Sequence, residues 1–112
     1  MMAIKLRVLN QFGSPQPLNN PDEIEAHFPY ETDGSLVKRF SFGAVKILND
    51  SLGEISVELS PFEVQGLLIG EKQNFSVRIV NGSKIKEAVF QNALNVRTID
   101  VDGQTRKVIQ RK

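Results

Sequence analysis

The sequence predicts a single all-β domain, an antiparallel sandwich or small barrel. Three observations carry this. Apolar residues recur at every second position in short runs. Gly, Pro, Asn-Gly and Asp-Gly signals punctuate those runs at short spacing. No internal repeat, low-complexity stretch or linker divides the 112 residues, and that length fits one domain.

Ile4, Leu6 and Val8 alternate with Lys5 and Arg7, a half-buried strand that begins almost at the first residue. Gly13-Ser14-Pro15-Gln16-Pro17 ends it, because two prolines remove backbone donors and fix φ. Ile24, Ala26 and Phe28 alternate with Glu23, Glu25 and His27, giving a second strand with an acidic outer face, closed by Pro29. Asp33-Gly34 marks a tight turn. Leu36 to Ser41 reads as a third strand with Phe40 and Phe42 offered to the core, and Val45 and Ile47 as a short fourth that stops at Asn49-Asp50. After Gly53, Ile55, Val57 and Leu59 alternate with Glu54, Ser56 and Glu58.

Ser60-Pro61-Phe62-Glu63 is a helix start: Ser60 caps, Pro61 fits the first turn and Glu63 completes a capping box. Gly66 and Gly70 limit the helix to one or two turns, a crossover with Phe62, Leu67 and Leu68 expected in the core. Phe75, Val77 and Ile79 form the next strand, and Asn81-Gly82 turns it back along Lys84 to Gln91, continued by Ala93, Leu94 and Val96. The register is open: a turn on Asn81-Gly82 sets Ile79 beside Lys84, whereas a shift of one residue sets it beside Ile85. Asp102-Gly103 joins two last strands, Val96–Val101 and Gln104–Gln110, into a hairpin with few apolar residues. An isolated hairpin is marginal in water, so this arm docks on its own domain or on a partner. The organisation is therefore a domain over 1–96 and a hairpin with a basic end over 97–112.

Composition excludes several classes of function. There are no cysteines, which removes disulfides and thiolate chemistry and suits a reducing compartment. No apolar run approaches the ~20 residues that span a bilayer, and the N-terminus alternates too strongly for a secretion signal. The Asn-x-Ser triplets at Asn49, Asn74 and Asn81 are read as chance. His27 is the single histidine; with Glu25 it makes two metal ligands where a catalytic zinc needs three. There is no nucleophile elbow, phosphate loop or calcium loop. Six of the seven phenylalanines lie in or beside apolar alternation, with Phe12 the exception, so base stacking has little to work with. The sequence offers no catalytic residue, no cofactor site, no metal site and no specific nucleic-acid or membrane partner.

Charge is the remaining signal. The net value is +1, but its placement is uneven. Asp22, Glu23, Glu25, Glu31 and Asp33 fall in a stretch without Lys or Arg, and Arg106, Lys107, Arg111 and Lys112 in a tail without acid. Such segments are either solvated surface or complementary docking patches.

The order of elements resembles small tailed-phage virion proteins with an immunoglobulin-like β-sandwich, and in particular the N-terminal domain of phage baseplate upper proteins. Leu18-Asn19-Asn20 stands where that class has a Leu-Thr-Gly-like loop. Asp33-Gly34 matches its turn, and Gly53-Glu54-Ile55-Ser56-Val57-Glu58-Leu59 with Ser60-Pro61 its strand and crossover. Asn20-Pro21 departs from the glycine, and the C-terminal hairpin lies outside the pattern. The resemblance implies an immunoglobulin-like sandwich with one short helical crossover. It also implies a non-enzymatic virion component of capsid decoration, neck, tail or baseplate, made in the host cytoplasm. Its partners are then other virion proteins or copies of itself in a homo-oligomer. The alternative is a host-surface module that binds carbohydrate or protein, which calls for exposed aromatics clustered at one end.

Overall fold

The structure, a computed structural model, describes residues 2–32 and 34–110. In chain order the elements are β1 (Met2–Arg7), β2 (Glu23–Pro29), β3 (Ser35–Arg39), β4 (Val45–Asn49), β5 (Glu54–Leu59), α1 (Pro61–Gly66), β6 (Gly70–Asn81), β7 (Lys84–Val101) and β8 (Gln104–Gln110). They form two antiparallel sheets, β1-β5-β4 and β3-β2-β6-β7-β8. The predicted all-β sandwich, short helical crossover and C-terminal hairpin are all present.

Period-two patterning does what it must. Ile4, Ile55, Val57, Leu59 and Val45 from the smaller sheet meet Ile24, Ala26, Phe28, Phe75, Val77 and Ile79 from the larger, and all are buried. Phe28, Phe75 and Phe90 lie opposite one another on adjacent strands and stack, with centroids 5.2 and 4.8 Å apart. Each buried ring or branched side chain contributes about 1.5–3 kcal/mol of burial, and stacking adds to the ring ladder.

Loop backbone is fixed by particular residues. Asn19 and Asn20 both take left-handed φ, 58° and 52°, and their amides donate to the two carboxylate oxygens of Asp50 at 3.0 and 2.9 Å. Asparagine tolerates this region where most residues do not. Gly53, at φ 67°, could carry no side chain: a Cβ there would lie 2.5 Å from the Gln16 carbonyl oxygen and 2.8 Å from that of Val8.

Three local expectations are corrected. The third strand ends at Arg39, and Phe40–Phe42 form a 3-10 turn stopped by Gly43 at φ 79°. With three residues per turn, side chains two apart diverge, so Phe40 packs on the core while Phe42 is 81% exposed. In α1 the capping box forms as expected, with Glu63 N donating to Ser60 Oγ and Ser60 N to Glu63 Oε1. That geometry turns Val64 inward and leaves Phe62, two residues and about 200° away on the helix, 83% exposed. Leu67 is buried beside Tyr30, and the extended chain after it points Leu68 outward. The β6–β7 turn sits on Gly82-Ser83, pairing Asn81 with Lys84 and Ile79 with Lys86. Gly82, the first turn residue, has φ 59°, a requirement of the primed hairpin turns.

β7 serves two ribbons in line. Its first part pairs β6 as far as Val96, and its last part pairs β8 from Asn95 onward. The expected boundary at 96 therefore falls inside one continuous strand. Irregularities near Lys72 (φ 56°) and Asn92 (φ 55°) offset the register, and the Asn74 side chain accepts the Asn92 amide at 2.9 Å. Bulges of this kind increase local twist. The result is elongated, 48 × 28 × 24 Å.

Candidate functional site

The acidic stretch does not fold into one patch. Glu23 and Glu25 share the outer face of β2, two residues apart, as period two requires. Glu23 accepts from the Ser41 amide at 3.0 Å, from the Ser41 hydroxyl and from the Ile24 amide at 3.0 Å. Desolvation raises its pKa, but these hydrogen bonds together outweigh it and hold the group below its ordinary value. Glu25 lies 3.1 Å from His27 Nε2 and is bonded to Arg39. The His27 hydrogen bond is the largest influence and lowers its pKa; desolvation opposes, and Arg39 adds to the lowering. Register continues the pattern, since Glu25 stands opposite Arg78, which pairs Glu87 at 3.2 Å. Charges thus alternate across β3, β2, β6 and β7.

The other acids lie at opposite ends of β2. Asp22 precedes it and accepts the Gly82 amide at 2.6 Å, tying the β6–β7 turn to the strand start. Glu31 follows it and meets Lys107 Nζ at 2.6 Å. Lys107 also donates to the Leu67 carbonyl at 3.0 Å. So one member of the acidic stretch and one of the basic tail meet within a single chain. Arg106 is exposed, and its guanidinium lies 3.5 Å from the Gln104 side-chain oxygen. Asp33, Arg111 and Lys112 lie outside the described residues.

Gln65 completes this contact. Its side-chain amide donates to the Lys107 carbonyl at 3.0 Å and accepts the Lys107 amide at 2.9 Å, as a neighbouring strand would. The base of the hairpin is thereby latched to α1, answering whether the arm can dock on its own domain. No sequence signal pointed to Gln65, because its partner lies 42 positions away. Above the latch, Arg97–Val101 carry β8 on one edge and no strand on the other among the described residues. Val101 is exposed at the tip, and Leu68 and Ile69, also exposed, precede the start of β6.

A second open feature lies along β1, the edge strand of the smaller sheet. A cleft of about 330 Å³ separates it from β7, and one of about 570 Å³ continues beyond its end, between the Val8–Gln16 segment and β6–β7. The larger is lined by Val8, Phe12, Ile79, Lys86 and Ala88 with polar loop residues; the smaller by Ile4, Leu6, Phe90, Leu94 and Ile109 among others.

Phe12 and Phe62 lie at opposite ends of β5: Phe12 lies beyond Val8, which binds Gly53 at the start of β5, whereas Phe62 follows its end. Phe42 precedes Ala44, whose carbonyl accepts the Glu58 amide at 2.8 Å near the Phe62 end. No group of three or more His, Asp or Glu among the described residues is placed to hold a metal ion. No helix among them is long and apolar enough to cross a membrane. Comparison with protein-family models, curated proteins and solved structures finds no match to this chain.

Proposed function

We propose that this chain is a non-enzymatic assembly protein of a phage or phage-like particle, a capsid-decoration, neck, tail or baseplate component acting through its sandwich surfaces and C-terminal hairpin. One observation carries the assembly reading: the hairpin is held to the body at its base by Lys107 and Gln65, yet offers above it a strand edge unpaired among the described residues. Exposed edges template association, and proteins that do not use them blunt them with charge, proline or cover. Here Ile99 and Val101 occupy the edge, with Arg97 and Asp100 as its only charges. The particle itself is supported by the resemblance of element order, loop and crossover to phage sandwich domains.

The residues singled out by charge enter this reading unequally. Arg106 lies on the arm and is open to a partner. Glu25, Glu31 and Lys107 would have to exchange a partner within the chain for one outside it. The expected association is accordingly strand pairing with charge selecting the partner, not a simple meeting of acidic and basic tails.

The test is the mass in solution by light scattering after size exclusion, at low and high salt. A discrete homo-oligomer is expected, and a monomer under both conditions overturns self-assembly. Protein analysis of purified particles checks the location; a particle that lacks the chain removes the virion role.

A further inference from the structure

Two free edges of this molecule match each other. The first is β1, which pairs β5 on one side and, through Met2–Arg7, has no strand on the other among the described residues. Next to it the larger sheet extends past the smaller, and the apolar cleft between them exposes parts of Leu6, Phe90 and Ile109. The smaller sheet has the form of one that lacks its next strand. The second edge is β7 beyond Val96.

We infer that the β1 edge of one copy receives the Arg97–Val101 edge of a second copy, a contact that rests on the assembly reading above and specifies its two surfaces. The hairpin would extend the three-stranded sheet to five strands, equal to the sheet it faces. Pattern selects this occupant. Ile4 and Leu6 alternate with Lys5 and Arg7; Ile99 and Val101 alternate with Thr98 and Asp100. In the antiparallel register that sets Ile99 opposite Leu6, Val101 falls opposite Ile4 and Asp100 opposite Lys5. Apolar pairs then close the cleft over Phe90, and opposite charges meet on the solvent face. Arg97 falls opposite Val8, at the wide end among Asn10, Gln11 and Gln16, where its guanidinium keeps polar neighbours.

In this register Thr98–Val101 lie opposite Arg7–Ile4 of β1, and Arg97 reaches one residue past the strand. Pairing β1 with β1 of a second copy is disfavoured, because an antiparallel register through Lys5 and Arg7 sets like charges opposite one another. The two surfaces differ, so the contact is heterologous and runs head to tail, closing into a ring or growing as a filament.

The test uses the full chain in four forms: wild type, Lys5→Glu, Asp100→Lys and the double exchange. Both positions are exposed, and thermal melts confirm that each variant folds. Sedimentation over a concentration series gives the half-assembly concentration. Each single exchange is expected to raise it about tenfold or more, as like charges replace an opposite pair, and the double exchange to restore it. Loss with Asp100→Lys but not with Lys5→Glu overturns the contact in favour of arms pairing with each other. A wild-type oligomer indifferent to both exchanges removes this contact and leaves assembly standing. A wild type that stays monomeric throughout removes both.

Discussion

β7 passes through two environments. Up to Val96 it borders a core in which Phe28, Val77, Ile55 and Leu59 are essentially sealed from water. After Val96 it becomes half of a two-stranded ribbon with Val101 exposed and polar or charged residues at most other positions. The same strand geometry is thus stabilised in two ways, by apolar burial in the body and by a few named hydrogen bonds at the base of the arm. Substitutions should separate the two regions, the body responding in stability and the arm in local opening and association.

The largest effects belong to the body. Phe28→Ala removes the first ring of a three-ring stack and should lose about 3–5 kcal/mol. Gly53→Ala should be comparable, roughly 3 kcal/mol or more, since a methyl group meets two backbone carbonyls and φ 67° is unfavourable for alanine. Urea melts check both. A loss under 1 kcal/mol for Gly53→Ala would mean that the Val8–Gln16 segment shifts easily and is not part of the rigid body.

Acid should come next. Glu23, Glu25 and Glu63 all sit below their ordinary 4.5. For Glu63, desolvation acts upward but is outweighed by the hydrogen bonds from Lys38 and the Ser60 backbone. A carboxyl lowered in the folded state stabilises it above the unfolded pKa, and that contribution fades as pH falls through the folded value. The body should therefore lose stability from about pH 4.5 downward, and a Glu25→Gln/Glu63→Gln double variant should show a shallower pH slope in the same window. Equal slopes would show that these carboxylates do not set the acid limit.

How much of this comparison is legible in the sequence depends on how far the determining contact reaches. Ile55-Ser56-Val57-Glu58-Leu59 states its own inward face, and Ser60-Pro61-Phe62-Glu63 its own helix start, because strand alternation and capping are local. Phe42 and Phe62 are apolar beside apolar runs, yet their directions follow from a 3-10 turn and from a helix phase that hydropathy does not encode. The acidic stretch looks continuous along the chain, but Asp22, Glu25 and Glu31 reach the β6–β7 turn, Arg39 and Lys107 respectively, contacts set by topology. Asp102-Gly103 turns as expected, both residues at positive φ, since a two-residue turn needs nothing from the rest of the molecule.

The latch should give a smaller effect, confined to the arm. Gln65→Ala removes both hydrogen bonds to the Lys107 backbone, at about 1 kcal/mol in total because water replaces them at this exposed site. Hydrogen exchange should quicken for amides of 104–109 and stay unchanged in β2 and β5. Equal acceleration in both would mean that the arm opens only when the whole domain does, and the two-region description would fail.

The smallest effect on stability should accompany the largest on association. Val101 is 41% exposed at the arm tip, so Val101→Lys forfeits little burial, and its thermal melt should fall within about 0.5 kcal/mol of wild type. The same change puts a charge on the apolar face that the neighbour's Ile4 would receive. Burying it unpaired is unfavourable, so assembly should weaken even though the monomer is unharmed. A melt that drops by several kcal/mol would instead place Val101 within the body's cooperative unit, whereas an unchanged melt with lost assembly assigns the arm to contacts between copies.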